Sequence, residues 1–301
     1  MLVAVPARDD EAISTQCPAC GGGPLGRLFE LHGFEFVSCR ACDIAMYRGA
    51  ERMERNDDLF PTAYFTDGGA GYTDYLADAA SRRRQARVYL RRLADLGIRA
   101  GPGRRALDVG CGGGFFMVEA RADGWDVVGC DVSEFVVAHA RGVFGLNVVR
   151  AGFLDAPFAP ASFDLITMFG VLEHLPQPRR VVERAYEVLR KAGCIAIETW
   201  NRRALAARAL ASHWHVYAPP SCLWYHSDRS LQRLFAADRW RRLRYGAAPK
   251  WISVRHAVSA FDHMSPRLAA VARRVLDRPA LRDISVPYAM GDLVFAVFQR
   301  C

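Results

Sequence analysis

The chain has 301 residues, 51% of them hydrophobic and 24% charged, with a formal net charge of +8. This composition is that of a soluble globular protein able to bury a full core, as one large or two smaller domains. No apolar run nears the ~20 residues needed to span a bilayer, and Met1–Asp10 has no basic n-region, so no membrane contact and no signal peptide is expected, and a cytoplasmic location follows.

Residues 1–16 show no periodic pattern. Cys17-Pro18-Ala19-Cys20 and Cys39-Arg40-Ala41-Cys42 then form two C-x-x-C pairs with 18 residues between them. This is the spacing of a four-cysteine zinc ribbon, in which two tight knuckles bring four thiolates to one structural Zn2+. Between the pairs, Leu28–Leu31 and Phe34–Val37 read as hairpin strands turning at His32-Gly33. A subdomain this small depends on its metal to fold, and residues 1–46 are assigned to it. The other five cysteines are scattered, as inert core thiols are.

Residues 47–80 are rich in acids, glycine and aromatics, among them Tyr64, Phe65, Tyr72 and Tyr75. The segment reads either as a lid or as a linker pinned to the domain surface. A helix from Asp78 to Leu96 follows and ends at Gly97, so residues 47–100 form a linker and helical lid. Nearly all basic residues are arginine, with Lys191 and Lys250 the only lysines. The clusters at Arg82–Arg84, Arg91-Arg92 and Arg239–Arg244 read either as solvated helix faces or as a surface for an acidic partner.

From residue 101 to 301 strands and helices alternate. Strands are expected at Ala106–Val109, Asp126–Asp131, Asn147–Arg150, Phe163–Phe169 and Cys194–Thr199, with helices at 115–122, after the N-cap Ser133, and at 177–190. The spacing predicts an α/β fold, a doubly wound and mostly parallel sheet with ligands at the carboxyl ends of its strands. After Trp200-Asn201 the pattern loosens. Residues 201–226 and 249–285 read as substrate-covering insertions, the second mostly helical, with a helix at 230–237, a short strand at 242–246 and a last strand at 291–298.

The stretch from Ala106 to Phe115 organises this domain. An apolar strand ends in Asp108-Val109 and breaks into Gly110-Cys111-Gly112-Gly113-Gly114 before a helix. Glycines let the turn tighten and a ligand approach the backbone. A dinucleotide turn needs G-x-G-x-x-G, but Phe115 fills the last glycine slot. The charge of Asp108 suits a cationic ligand such as S-adenosylmethionine (SAM). Asp131 ends the next strand, 23 residues on, where a carboxylate can accept both ribose hydroxyls. The Gly152–Asp155 turn lies where an adenine edge would sit.

D-V-G-C-G-G-G-F-F at 108–116, V-V-G-C-D-V-S at 127–133, F-D-L-I-T-M-F-G-V-L-E-H-L at 163–175 and I-E-T-W-N at 197–201 resemble class I SAM-dependent methyltransferases. With the cysteine knuckles, the whole chain resembles bacterial methyltransferases carrying an N-terminal zinc ribbon, a group that modifies sugars and natural products. The resemblance implies a seven-stranded sheet with an antiparallel last strand pair. It implies SAM contacts from Asp108, Gly110, Gly112, Asp131 and the Phe153-Leu154 turn, with Cys111 and Val132 beside them and Phe169 and Gly170 lining the methionine side. Tyr64 and Tyr72 match aromatic positions of the family's pre-domain segment. The family's T-P-N is T-W-N here.

Methyl transfer needs an aligned nucleophile and, for an oxygen, a base. His174, His213 and His215 are the candidate bases, with His226 behind them, and Glu173 is placed to orient His174 or the acceptor. The tryptophans of the insertion suit a small aromatic acceptor or form the insertion's own core. Strand four ends in F-G-V-L-E-H and not in the N-P-P-Y type of base N-methylating enzymes, which disfavours a nucleic acid. The expectation is methyl transfer to a small-molecule acceptor, at a hydroxyl oxygen of a natural product or sugar. The alternatives are C- or N-methylation of a metabolite, an RNA or protein acceptor docked by the ribbon, and a SAM-binding module without turnover.

Overall fold

The computed structural model describes residues 16–66, 74–248, 250–254, 284–288 and 290–301. The N-terminal part is a small sheet. Strands β1 (Leu25–Leu31) and β2 (Phe34–Cys39) form an antiparallel hairpin, and β3 (Ala45–Tyr47) pairs with β2. His32 and Gly33 both have positive φ, 52° and 80°, the backbone of a tight two-residue hairpin turn. A short helix, α1 (Thr62–Thr66), and a long one, α2 (Ala79–Asp95), lead into the main domain. α2 buries Ala86, Tyr89, Leu90 and Leu93, a stripe at helical spacing.

The main domain continues through β4 (Arg105–Val109), α3 (Phe115–Ala122), β5 (Asp126–Asp131), α4 (Glu134–Phe144), β6 (Val148–Arg150), β7 (Phe163–Phe169), α5 (Pro178–Val188) and β8 (Leu189–Trp200). Next come α6 (Leu205–Leu210), β9 (Trp224–Tyr225), α7 (Asp228–Leu234), β10 (Trp240–Ala247), β11 (Lys250–Ser253), β12 (Ser285–Tyr288) and β13 (Leu293–Arg300). The large sheet has seven strands in the order β10-β13-β8-β7-β4-β5-β6. Its neighbours from β6 to β8 are parallel, while β13 is antiparallel to both β8 and β10. This is the expected doubly wound sheet. Its central strands are mostly apolar because helices cover both faces, and Leu107, Ile166, Met168, Ile195 and Ile197 are essentially inaccessible.

Most elements lie within three residues of the expected bounds. Two differ more. Residues 189–193 were read as the end of a helix and a loop, yet they begin β8, with Ala192 at positive φ and Gly193 packed on the Phe163 carbonyl. Residues 250–253 form a strand hydrogen-bonded to 285–288, not a helix. Most of the second insertion lies outside the described residues.

β9 joins the N-terminal sheet, with Ala45 opposite Tyr225 and Met46 opposite Trp224. One hydrophobic cluster unites Phe36, Val37, Ile44 and Met46 with Trp214, Leu223, Trp224 and Tyr225. Trp214, Trp224 and Tyr225 are therefore core, each at most 1% exposed, and do not form an acceptor wall. Burying side chains of this size stabilises by roughly 2–3 kcal/mol each. Asp43 clamps the same junction, accepting from Arg202 and from both Nε and Nη2 of Arg203.

Candidate functional site

The glycine turn after β4 is shaped by its neighbours. Gly110, Gly112 and Gly114 all have positive φ, which favours glycine. A Cβ at Gly110 would lie 2.6 Å from Val171, and one at Gly112 would lie 2.1 Å from the Tyr75 hydroxyl. The turn is thus closely covered by side chains of two other segments.

Asp131 clasps the turn. Its Oδ2 accepts the Gly112 N–H at 2.9 Å and its Oδ1 accepts the Ser133 N–H at 3.0 Å. Burial raises its carboxyl, against the lowering effect of the Ser133 and Gly112 amides. Asp108 is 4% exposed and accepts a 2.7 Å bond from the Thr167 hydroxyl. Burial pushes its carboxyl up to about 7, with the Thr167 bond opposing the shift. A buried carboxyl with one neutral partner favours a cation that would let it ionise.

Two clefts meet at the carboxyl ends of the strands and share Tyr75, Arg82, Gly110, Phe169 and Gly170. One is lined by Tyr64, Gly112, Asp131, Val132, Phe153 and His174. The other is lined by Asp108, Cys111, Phe116, Tyr89, Glu198 and Lys250. The structure therefore brings most of the expected cofactor residues together. Leu154 packs against the core instead and faces a surface hollow near Arg55. Tyr72 lies outside the described residues.

The candidate bases are separated. His174 lines the first cleft, and its Nδ1 lies 2.7 Å from the Ser221 carbonyl, so Nδ1 carries a proton and donates to that carbonyl. Glu173 is 1% exposed, accepts from the Thr199 hydroxyl at 2.9 Å, and has its carboxyl raised by burial. Its backbone carbonyl accepts the Leu223 and Trp224 amides. His213 is exposed on a 3-10 turn, away from both clefts. His215 lies beyond Trp200, with Nε2 3.3 Å from the Tyr288 hydroxyl. His226 is fully buried beside Ser230, and burial pushes its imidazole down to about 3.

Tyr75 belongs to the aromatic segment expected as a lid or linker, while Arg82, Asn56, Phe60, Glu198 and Lys250 are cleft residues the sequence does not single out. Tyr75 and Arg82 cover the turn, the guanidinium 3.7 Å from the tyrosine ring centroid, although Arg82 read as part of a basic cluster. Asn56 and Phe60 line the first cleft, and the Asn56 amide donates to the His174 carbonyl. Glu198 lies in the I-E-T-W-N run and Lys250 is one of only two lysines, but neither fact marks a site by itself.

At the other end, the sulfurs of Cys17, Cys20, Cys39 and Cys42 lie within 4.8 Å of one another. The closest pairs are Cys17–Cys42 at 3.6 Å and Cys20–Cys39 at 3.7 Å. A tetrahedron with zinc–sulfur bonds of 2.3 Å has sulfurs about 3.8 Å apart, so the donor set fits that ion.

A family model described as a methyltransferase domain matches residues 80–238, just over half of the chain. The chain belongs to the class I SAM-dependent methyltransferases. The methyltransferase is 38% identical over 133 residues to 24-methylenesterol C-methyltransferase 2 of Oryza sativa subsp. japonica, covering 42% of this chain and 36% of that protein. It is 36% identical over 137 residues to the ubiquinone biosynthesis O-methyltransferase of Paraburkholderia phymatum, covering 38% of this chain and 57% of that protein. It thus spans well under two thirds of the length of these relatives. The YcgJ protein of Bacillus subtilis shares its fold, with a TM-score of 0.51 and 16% identity over 72% of this chain and 97% of that one. Among the described residues no helix is long and apolar enough to cross a membrane.

Proposed function

We propose that this methyltransferase transfers the methyl group of SAM to a hydroxyl oxygen of a small-molecule acceptor in a biosynthetic pathway. The observation that carries the reading is the Asp131 clasp on Gly112, which leaves a half-buried carboxylate facing a cleft walled by Phe153, Val132 and Tyr64. Asp131 would hold the ribose, with Phe153 and Val132 against the adenine. Asp108 and the Gly110–Cys111 turn would receive the methionine ammonium. SAM supplies an electrophilic methyl on a sulfonium, and the chain's part is to bind it, exclude water and align the acceptor.

The two relatives above are named for small-molecule chemistry, one for O-methylation and one for C-methylation. The O-methyl reading is preferred because a buried carboxylate, Glu198, lines the second cleft where a hydroxyl proton has to go. His174 lies beside Asp131 and Asn56, which suits a positioning role at the nucleoside end. The four cysteines would hold one structural zinc.

The test is transfer from methyl-labelled SAM to size-fractionated acceptor pools. Label is expected in the small-molecule fraction. Label confined to RNA or protein would overturn the small-molecule reading, and SAM binding without turnover in any pool would leave only a binding module.

A further inference from the structure

The second cleft holds an arrangement that the donor site does not use. Glu198 sits at the carboxyl end of β8 and is 3% exposed, yet it lines the cleft together with Asp108 and Phe169. Its backbone carbonyl accepts the Gly170 N–H, which ties it to the strand end where the two clefts meet. Its Oε2 accepts the Tyr89 hydroxyl, and its Oε1 accepts the Lys250 ammonium at 3.2 Å. A carboxylate has about four lone-pair directions, so each oxygen can take one donor more.

Removing a carboxylate and an ammonium from water is costly, and such a pair seldom stabilises a fold more than apolar residues would. A buried carboxylate paired with a part-buried ammonium, both lining a cleft beside a proposed reaction centre, is a functional-site candidate on those grounds. The surroundings select the ligand. Tyr89 stacks on Phe169 with centroids 4.1 Å apart and planes 27° from parallel, and Phe116 and Trp251 complete aromatic walls around the carboxylate. β11, paired antiparallel with β12, lines the cleft through Lys250, Trp251, Ile252 and Ser253. It is held to α2 by Trp251 N–H to Gln85 at 2.9 Å and by the Ser253 hydroxyl to Asp78 at 2.6 Å. An aromatic lining favours an aromatic acceptor, and the carboxylate–ammonium pair favours an acidic hydroxyl on it.

We propose that Glu198, Tyr89 and Lys250 form the acceptor site for a phenolic hydroxyl, with Glu198 the catalytic residue that takes its proton. The proposal rests on the donor reading above. As the phenolic oxygen bonds to the methyl carbon, the carbon–sulfur bond breaks and its electron pair stays on sulfur. The hydroxyl proton passes to Glu198, so a sulfonium and a carboxylate become a neutral thioether and a carboxylic acid. Lys250 stabilises the oxygen while its negative charge builds.

Catechol is the probe. It is titrated calorimetrically into the full chain loaded with S-adenosylhomocysteine, and its methylation with SAM is followed as S-adenosylhomocysteine release. Wild type is expected to bind and methylate it. Glu198→Gln should keep its affinity for S-adenosylhomocysteine, weaken catechol binding about tenfold and lower kcat by roughly 10²-fold or more. Lys250→Met should lower kcat about tenfold, again without changing that affinity. The proposal is overturned if wild type binds S-adenosylhomocysteine but neither binds nor methylates catechol, or if Glu198→Gln retains kcat. It also fails if Glu198→Gln loses S-adenosylhomocysteine affinity in step with catechol, which would place Glu198 in the donor site. A wild-type chain that binds no S-adenosylhomocysteine fails the donor reading itself, and this proposal with it.

Discussion

The Asp131 carboxylate and the Gly112 amide are joined at 2.9 Å across the carboxyl ends of β4 and β5, so one side chain both anchors the glycine turn and faces the cleft proposed for the nucleoside. Asp131→Ala should therefore weaken SAM binding by about 10²-fold, the value of a charge-assisted bond pair, while the sheet stays folded. Calorimetry checks the affinity and circular dichroism the fold; wild-type affinity would remove the ribose assignment.

Gly112→Ala acts on the same turn from the other side. Its Cβ would collide with the Tyr75 hydroxyl, and its φ of +51° disfavours any side chain. A stability loss of about 1 kcal/mol is expected from the backbone alone, with a SAM affinity lowered at least tenfold as Tyr75 is displaced. Denaturant midpoints and calorimetry on the same sample separate the two effects.

Asp108 gives the unliganded protein a pH dependence. Its carboxyl is held at about 7, above the ordinary 3.8, by burial. Between those values the folded chain binds more protons than the unfolded chain, so stability falls as pH rises from about 4 to 7. Asp108→Asn should flatten this slope. A bound ammonium favours the ionised carboxylate, so SAM binding near pH 6 should release a proton in wild type that Asp108→Asn does not release. Calorimetry in two buffers of different ionisation enthalpy measures the difference, and identical proton release would refute it.

The cysteine cluster makes a prediction about distant tryptophans. Purified protein should contain one zinc per chain by elemental analysis, and chelation should destabilise it. Trp214 and Trp224 share a core with Cys17, Cys39 and Cys42, so their fluorescence should shift to the red as the metal leaves. Absence of zinc would end the ribbon assignment, and unchanged fluorescence would separate the metal from that core.

Asp43→Ala removes the acceptor of three hydrogen bonds from Arg202 and Arg203. Arg202 and Asp43 have side chains only 10% and 15% exposed, so an unpaired guanidinium would remain largely buried. A loss of about 3 kcal/mol is expected, read from denaturant unfolding; a change under about 0.5 kcal/mol would show that the clamp contributes nothing.

The methyltransferase sheet was legible because its signals are local. β4 is a short apolar run ended by Asp108 and glycines, and α4 starts at Ser133, so propensity and tertiary structure agree there. The proposed donor end was brought together in the structure for the same reason, since Asp108, Gly112 and Asp131 lie at or just after strand ends whose spacing is fixed by the fold. The second cleft was not. Glu198 reads as one polar residue in an apolar strand, and its meaning depends on Tyr89 from α2 and Lys250 from β11. Residues 201–226 were obscure because their aromatics follow neither the helical nor the strand period. They pack against a sheet formed by residues far away in sequence, and β9 is only two residues long.

That pairing of β3 with β9 has a consequence for synthesis. Met46 and Ala45 emerge early, but their partners Trp224 and Tyr225 follow only after most of the chain has been made. Until then β3 has an open strand edge, and Phe36, Val37 and Met46 lack the apolar partners of their cluster, the combination that invites wrong pairing. Closing this sheet is a contact of long sequence separation, which is slow to form. With the proposed zinc bound, the cysteine knuckles would hold the first hairpin during that wait, and a chain released without zinc should aggregate from its N-terminal end.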